Sequence, residues 1–165
     1  MSQIGLHPSY ASNTAERYLL REKQSLEKVT HRDLTMSRQH FLKLQFPETY
    51  RKLLQVDIQN DYSMGFAQQT GFRAGTCTPF LFYDLDLESE TKLCIHPFQV
   101  MDATLHLYQK LPIVEAQKVI TQLIQETKAV NGTFISLWHN ETLSENAIWK
   151  NWRQVFEHTL QQAQQ

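Results

Sequence analysis

Only two cysteines occur in these 165 residues, Cys77 and Cys94, and they show neither Cys-x-x-Cys nor Cys/His ligand spacing. That excludes a disulfide framework and a zinc-finger motif. Two reduced thiols are the expectation, with a single disulfide left open. Glycine is equally scarce. Three of the five, Gly65, Gly71 and Gly75, crowd into one stretch, which marks a shaped loop. An excess of one charge is missing too: 16 Lys and Arg against 17 Asp and Glu give a net charge of −1 with no basic cluster. The electrostatic footprint of a nucleic-acid binder is therefore absent. No apolar run approaches the roughly 20 residues of a membrane helix, so no membrane segment is expected. The opening Met-Ser-Gln-Ile-Gly-Leu-His-Pro has no basic start and no apolar core. The absence of a signal peptide points to the cytoplasm, although a missing N-terminal stretch would have taken any signal with it.

What is present suits one α/β domain over residues 1–160, followed by a frayed glutamine-rich tail, 161–165. Ile4–Pro8 reads as a short strand stopped by proline. Asn13 offers a helix cap with Glu16 three residues on, and Ala15, Tyr18, Leu19, Leu26 and Val29 form an apolar face. Strands are expected at Leu34–His40, Asp61–Phe66, Thr91–His96 and Thr133–Trp138. A helix follows Pro47. Another, the clearest, opens at Pro112 and ends at Asn131-Gly132, as a left-handed cap residue should end it. The last helix places Trp149, Trp152, Val155, Phe156 and Leu160 on its buried side. Residues 71–87 are irregular and aromatic, a long functional loop holding at most one strand. Alternating strands and helices imply right-handed crossovers and parallel pairing.

Polar side chains collect at the strand ends, where parallel-sheet enzymes assemble their sites. His7 and His96 each close a strand before proline. Either is a metal-binding imidazole or a hydrogen-bonded loop histidine. Arg38 and His40 close the second strand. Arg38 would orient a carboxylate or form a structural ion pair. Asp61 and Asp102 stand near strand ends, and Asp102 reads equally as a helix cap or as the partner that tunes a histidine. His139 is the strongest candidate: an apolar strand delivers it beside Trp138, and a partly desolvated histidine can protonate a leaving group. No phosphate-binding loop, dinucleotide fingerprint, His-Glu-x-x-His or Gly-x-Ser-x-Gly motif occurs.

Taken in order, these segments resemble the polysaccharide deacetylases of the NodB-homology group (carbohydrate esterase family 4), in a divergent bacterial form. Ile4-Gly5-Leu6-His7 is similar to the histidine-bearing metal motif, and Ser37-Arg38-Gln39-His40-Phe41 stands in the place of the Arg-Pro-Pro-Tyr motif. Asp61-Tyr62-Ser63 is similar to an aspartate-serine strand. Ile135-Ser136-Leu137-Trp138-His139 resembles the final Leu-x-Leu-His motif, whose histidine is the acid. The resemblance spans nearly the whole chain. It implies an α/β fold in the form of a distorted, incomplete (β/α) barrel with parallel strands and outer helices. It also implies a hydrolase that removes N-acetyl groups from a carbohydrate, using a divalent metal, zinc foremost.

Carried over, His7 is a metal ligand, Arg38 an orienting residue and His139 the catalytic acid; Asp102 joins them as a catalytic candidate, and His40 as a metal ligand in place of the family's second histidine. Asp61, Arg73, Phe80, Tyr83 and Trp138 contact the sugar. The family's first-strand aspartates have no counterpart in the six residues before His7, and Ala11 stands where a second metal-binding histidine belongs. A chain lacking that strand would have impaired hydrolysis and an open barrel edge, through which it would self-associate. The rival reading is a non-catalytic carbohydrate-binding or interaction module that kept the barrel and lost the chemistry.

Overall fold

The computed structural model describes residues 3–13 and 16–164. The fold is mixed α/β, with parallel strands and flanking helices. It divides into two compact units, one of residues 1–64 and 79–96, the other of residues 65–78 and 97–165.

In the first unit, α1 (Glu16–Thr30), β1 (Met36–Ser37), α2 (Glu48–Gln55), β2 (Asn60–Asp61), β3 (Phe80–Asp84) and β4 (Ser89–Ile95) follow one another. The sheet order is β1-β2-β4-β3. β1, β2 and β4 are parallel in one register, Ser37 opposite Asp61 and Asp61 opposite Ile95. The expected strand at Ile4–Pro8 shortens to a parallel bridge from Leu6 to Ser37, made by Leu6 N–H to Met36 O and Arg38 N–H to Leu6 O. The strand expected at 34–40 pairs over Met36–Ser37 alone, and the one expected at 61–66 lies at Asn60–Asp61, sharing only Asp61 with the expected range.

The aromatic stretch 71–87 is irregular as far as Pro79 and then holds one strand, β3. Phe80–Asp84 pairs antiparallel with β4, with an irregularity between Leu81 and Tyr83. Its turn contains no glycine. Asp84 Oδ1 accepts the N–H groups of Asp86 and Leu87, and Glu88 takes a positive φ of 46°. Arg51 of α2 then clamps the Asp84 carboxylate through Nε and Nη2, both at 2.6 Å. Local side-chain bonds of this kind make an aspartate a turn former without glycine.

Leu6, Leu19, Tyr50, Leu53, Val56, Ile58, Leu93 and Ile95 form this unit's core. Helix α1 contributes Leu19 fully and Leu26 in part, whereas Val29, expected on the buried face, is 77% exposed in the last turn. Asn13, the expected cap, ends a 3-10 turn, Tyr10–Asn13, whereas Ala15 and the Glu16 side chain lie outside the described residues.

The second unit runs β5 (Val100–Met101), a π-helical stretch Thr104–Tyr108, α3 (Ile113–Ala129), β6 (Ser136–Leu137) and α4 (Arg153–Gln164). β5 and β6 are parallel, Met101 opposite Leu137, and α3 makes the crossover. Ala116, Ile120, Leu123 and Ile124 of α3 meet Trp149, Trp152 and Val155 in the core. Truncating one such buried aliphatic chain costs about 2–5 kcal/mol. Helix α4 continues through Gln164 where a frayed tail was expected, and Leu160, expected inside, is 46% exposed.

At the end of α3 the left-handed residue of the expected Asn131-Gly132 cap is Asn131, with φ 51°. Gly132 is needed for room: a Cβ there would lie 2.1 Å from Cys77 Sγ. Neither sheet closes on itself.

Candidate functional site

The second unit brings Asp102 and His139 together. Asp102 follows β5 directly and His139 stands two residues past β6, so the parallel pairing of Met101 with Leu137 sets them side by side. Asp102 Oδ2 accepts the His139 backbone N–H at 2.6 Å, and Oδ1 accepts the ring Nδ1–H at 2.7 Å. Oδ1 also accepts the Ala103 N–H at 2.6 Å. The Asp102 side chain is fully buried, whereas that of His139 is 47% exposed. Because Nδ1 donates to the carboxylate, Nε2 is the ring nitrogen left for chemistry. Behind the ring, the His139 carbonyl accepts both the N–H and the hydroxyl of buried Thr142, at 3.2 and 2.8 Å. Thr142 was not singled out from the sequence; a threonine three residues after a strand-end histidine is the only signal of it.

Trp138 donates its indole N–H to Ser136 Oγ at 3.1 Å and meets the Phe156 ring edge-on at 5.1 Å. It is partly buried and packs against the core. Arg73 is likewise a loop tie, donating to the Gly65 carbonyl at 3.0 Å.

The first unit gathers His7, Arg38 and His40. His7 Nδ1–H donates to the Arg38 carbonyl at 2.7 Å, and His7 Nε2 faces His40 Nδ1 at 3.0 Å. Both histidines line an open trough of about 870 Å³, together with Tyr10, Tyr18 and Arg21. Two ligands of a tetrahedral zinc ion, each about 2.05 Å from it, would stand about 3.3 Å apart, so this pair has nearly the right spacing. Catalytic zinc takes three protein ligands. Among the described residues no group of three or more His, Cys, Asp and Glu side chains is placed to hold a metal. The residues described do not make up a zinc site.

No family model matches this chain, and no curated protein matches it.

Asp61 corrects a further expectation. It is fully buried, and its oxygens accept from Ser37 Oγ, Ser63 Oγ and the Ser63 N–H. It braces β1 against β2 and presents nothing to a substrate. Burial pushes its carboxyl up to about 6, against the lowering effect of the two serines and the Arg38 charge. Phe80 and Tyr83 on β3 are 38% and 44% exposed, and the Tyr83 hydroxyl donates to Glu88. Among the described residues, no helix is long and apolar enough to cross a membrane.

The sequence did not single out one cluster in this unit. The rings of Tyr62 and His96 stack at 4.4 Å and 13°, and His96 Nε2–H donates to Asn60 Oδ1 at 2.8 Å. Burial lowers the His96 pKa. Asp61-Tyr62-Ser63 next to a strand end was the available signal, but its stacking partner lies 34 residues away.

Proposed function

We propose that this chain is a carbohydrate N-acetyl hydrolase, or the larger part of one, on a distorted (β/α) barrel of the NodB type. The observation that carries the reading is the Asp102–His139 pair. A half-exposed imidazole held through Nδ1 by a buried carboxylate has Nε2 free to carry a proton. His139 Nε2–H would donate that proton to the amine nitrogen as the C–N bond of the tetrahedral intermediate breaks. Asp102 is a positioning residue here, fixing the ring's tautomer and its angle. Arg38 would orient the substrate.

The divalent metal implied by the resemblance, zinc foremost, would supply water activation and carbonyl polarisation, with His7 and His40 among its ligands. Among the described residues no third ligand stands beside these two histidines.

A non-catalytic carbohydrate-binding module is the second reading. The incomplete ligand set and the exposed Phe80 and Tyr83 rings favour it, because sugar faces pack on aromatic rings. Acetate release from N-acetylated oligosaccharides, with zinc added, separates the two. Release that falls in His139→Gln supports the hydrolase. Release that persists unchanged in that variant removes His139 from the reaction. Binding of the oligosaccharide without any release leaves the module.

A further inference from the structure

In the first unit, Leu6, Ser37, Asp61 and Ile95 lie in one row across parallel segments. Side chains alternate along strands, so the next residue of each segment turns to the opposite face at the carboxyl end of the sheet. Those residues are His7, Arg38, Tyr62 and His96. Ligands of open parallel sheets bind at this end.

Arg38 is the unusual member. It is half-buried, and its Nε donates to the Tyr62 carbonyl at 3.2 Å. Its terminal nitrogens have no partner among the described residues, and it forms no ion pair within 4 Å. Asp61, whose charge it feels, spends its oxygens on Ser37 and Ser63. A guanidinium drawn partly out of water without a contacting anion is costly, and its planar fork matches a carboxylate. The Tyr62 hydroxyl is close enough to feel the Arg38 charge, and Tyr62 stacks on His96. With Nε2–H given to Asn60, His96 keeps a lone pair at Nδ1, an acceptor for a hydroxyl.

We propose that Arg38, Tyr62 and His96 bind a sugar acid of the uronic type, its carboxylate on the terminal nitrogens of Arg38 and a ring hydroxyl on His96 Nδ1. This goes beyond the hydrolase reading and rests on it only in taking the ligand to be a sugar. The carboxylate follows from Arg38 alone.

The test is titration of the full chain with glucuronate, glucose, acetate and inorganic phosphate, followed by amide and histidine-ring NMR. Glucuronate should saturate and shift the signals of Arg38, Tyr62 and His96, with glucose leaving them in place. Arg38→Gln should weaken glucuronate by about tenfold or more, the worth of one charge-assisted bond. Arg38→Lys should keep part of the affinity, and Tyr62→Phe, which retains the stack, gives a second variant where Arg38→Gln fails to melt cooperatively. Equal binding of glucose and glucuronate overturns the proposal, as does unchanged glucuronate affinity in Arg38→Gln. Tighter binding of phosphate or acetate than of glucuronate also overturns it. Glucuronate binding by a chain that releases no acetate from N-acetylated oligosaccharides with zinc added would sink the hydrolase reading and leave this one standing.

Discussion

Asp102 holds His139 at two points, one oxygen on the backbone N–H and the other on the ring. A carboxylate that fixed only the ring would leave the strand end free to carry it away; one that fixes both sets the ring's position relative to the sheet. In Asp102→Asn one side of the amide must present an N–H, so one of these bonds becomes a donor facing a donor. The ring's Nδ1–H tautomer is then no longer enforced. A slowly exchanging Nδ1 proton should appear by NMR in the wild-type chain and vanish in Asp102→Asn. Where acetate release is measured, His139→Gln should lower kcat by about 10²–10⁴-fold, the usual worth of a positioned acid. Asp102→Asn should lower kcat by less, with KM little changed, because Asp102 acts through the ring.

Asp61 predicts a pH dependence of stability with an unusual sign. Its folded value of about 6 lies above its ordinary 3.8. Between those values the folded chain holds a proton that the unfolded chain has released, so stability from this group falls as pH rises through the window. Two pKa units correspond to about 3 kcal/mol at most. Asp61→Asn removes the titration, at the expense of a donor turned toward the serine hydroxyls. Urea midpoints should therefore rise for the wild type from pH 7 to pH 5 relative to Asp61→Asn. Parallel curves for the two proteins would show that the carboxyl is ionised throughout.

His7 and His40 predict a weak metal response. Two nitrogens without a third protein ligand bind a divalent ion loosely, and losing either leaves a single imidazole. Calorimetric titration with zinc should show weak uptake that disappears equally in His7→Ala and His40→Ala. Adding a chelator to the wild-type chain should leave its melting temperature where it was. A melting temperature that falls on chelation would mean that more ligands converge on this pair.

How much was legible in the sequence varies with the reach of the interactions. Helix α3 was legible because Ile120, Leu123 and Ile124 repeat at helical spacing behind Pro112, all local information. β1, β4 and β6 were legible in place, whereas β2 precedes its expected range but for Asp61 and β5 was not expected, since ladders of two residues leave little alternation to read. The β3–β4 hairpin was only partly legible: Asp84 is a turn former that bonds the backbone two residues on, but the clamp on its carboxylate comes from Arg51, 33 residues away. At the site, His139 stood out because an apolar strand ends on it. Asp102 remained ambiguous until the β5–β6 register placed it under the ring. Asp61 was misread as a sugar contact, because burial of a carboxylate depends on the two serines that neighbouring strands bring to it. Tyr62 and His96 were missed as a pair for the same reason.

The close approach of Gly132 to Cys77 offers a test of the second unit's packing. A methyl group at position 132 would meet Cys77 Sγ at 2.1 Å, with Cys77 Cβ and Thr127 Cγ2 each at 3.3 Å. Gly132→Ala should destabilise the chain by about 1–3 kcal/mol through overpacking. Cys77→Ala alone should also destabilise, since Cys77 is buried and its loss opens a small void. Combined, the added methyl occupies space the sulfur vacated, so the double variant should be more stable than the sum of the single effects predicts. Thermal melts of the four proteins measure that coupling. Strict additivity would mean that the backbone near Gly132 shifts to accommodate the methyl without help from Cys77. The left-handed residue of this cap is Asn131, so Asn131→Gly should be tolerated where Gly132→Ala is not.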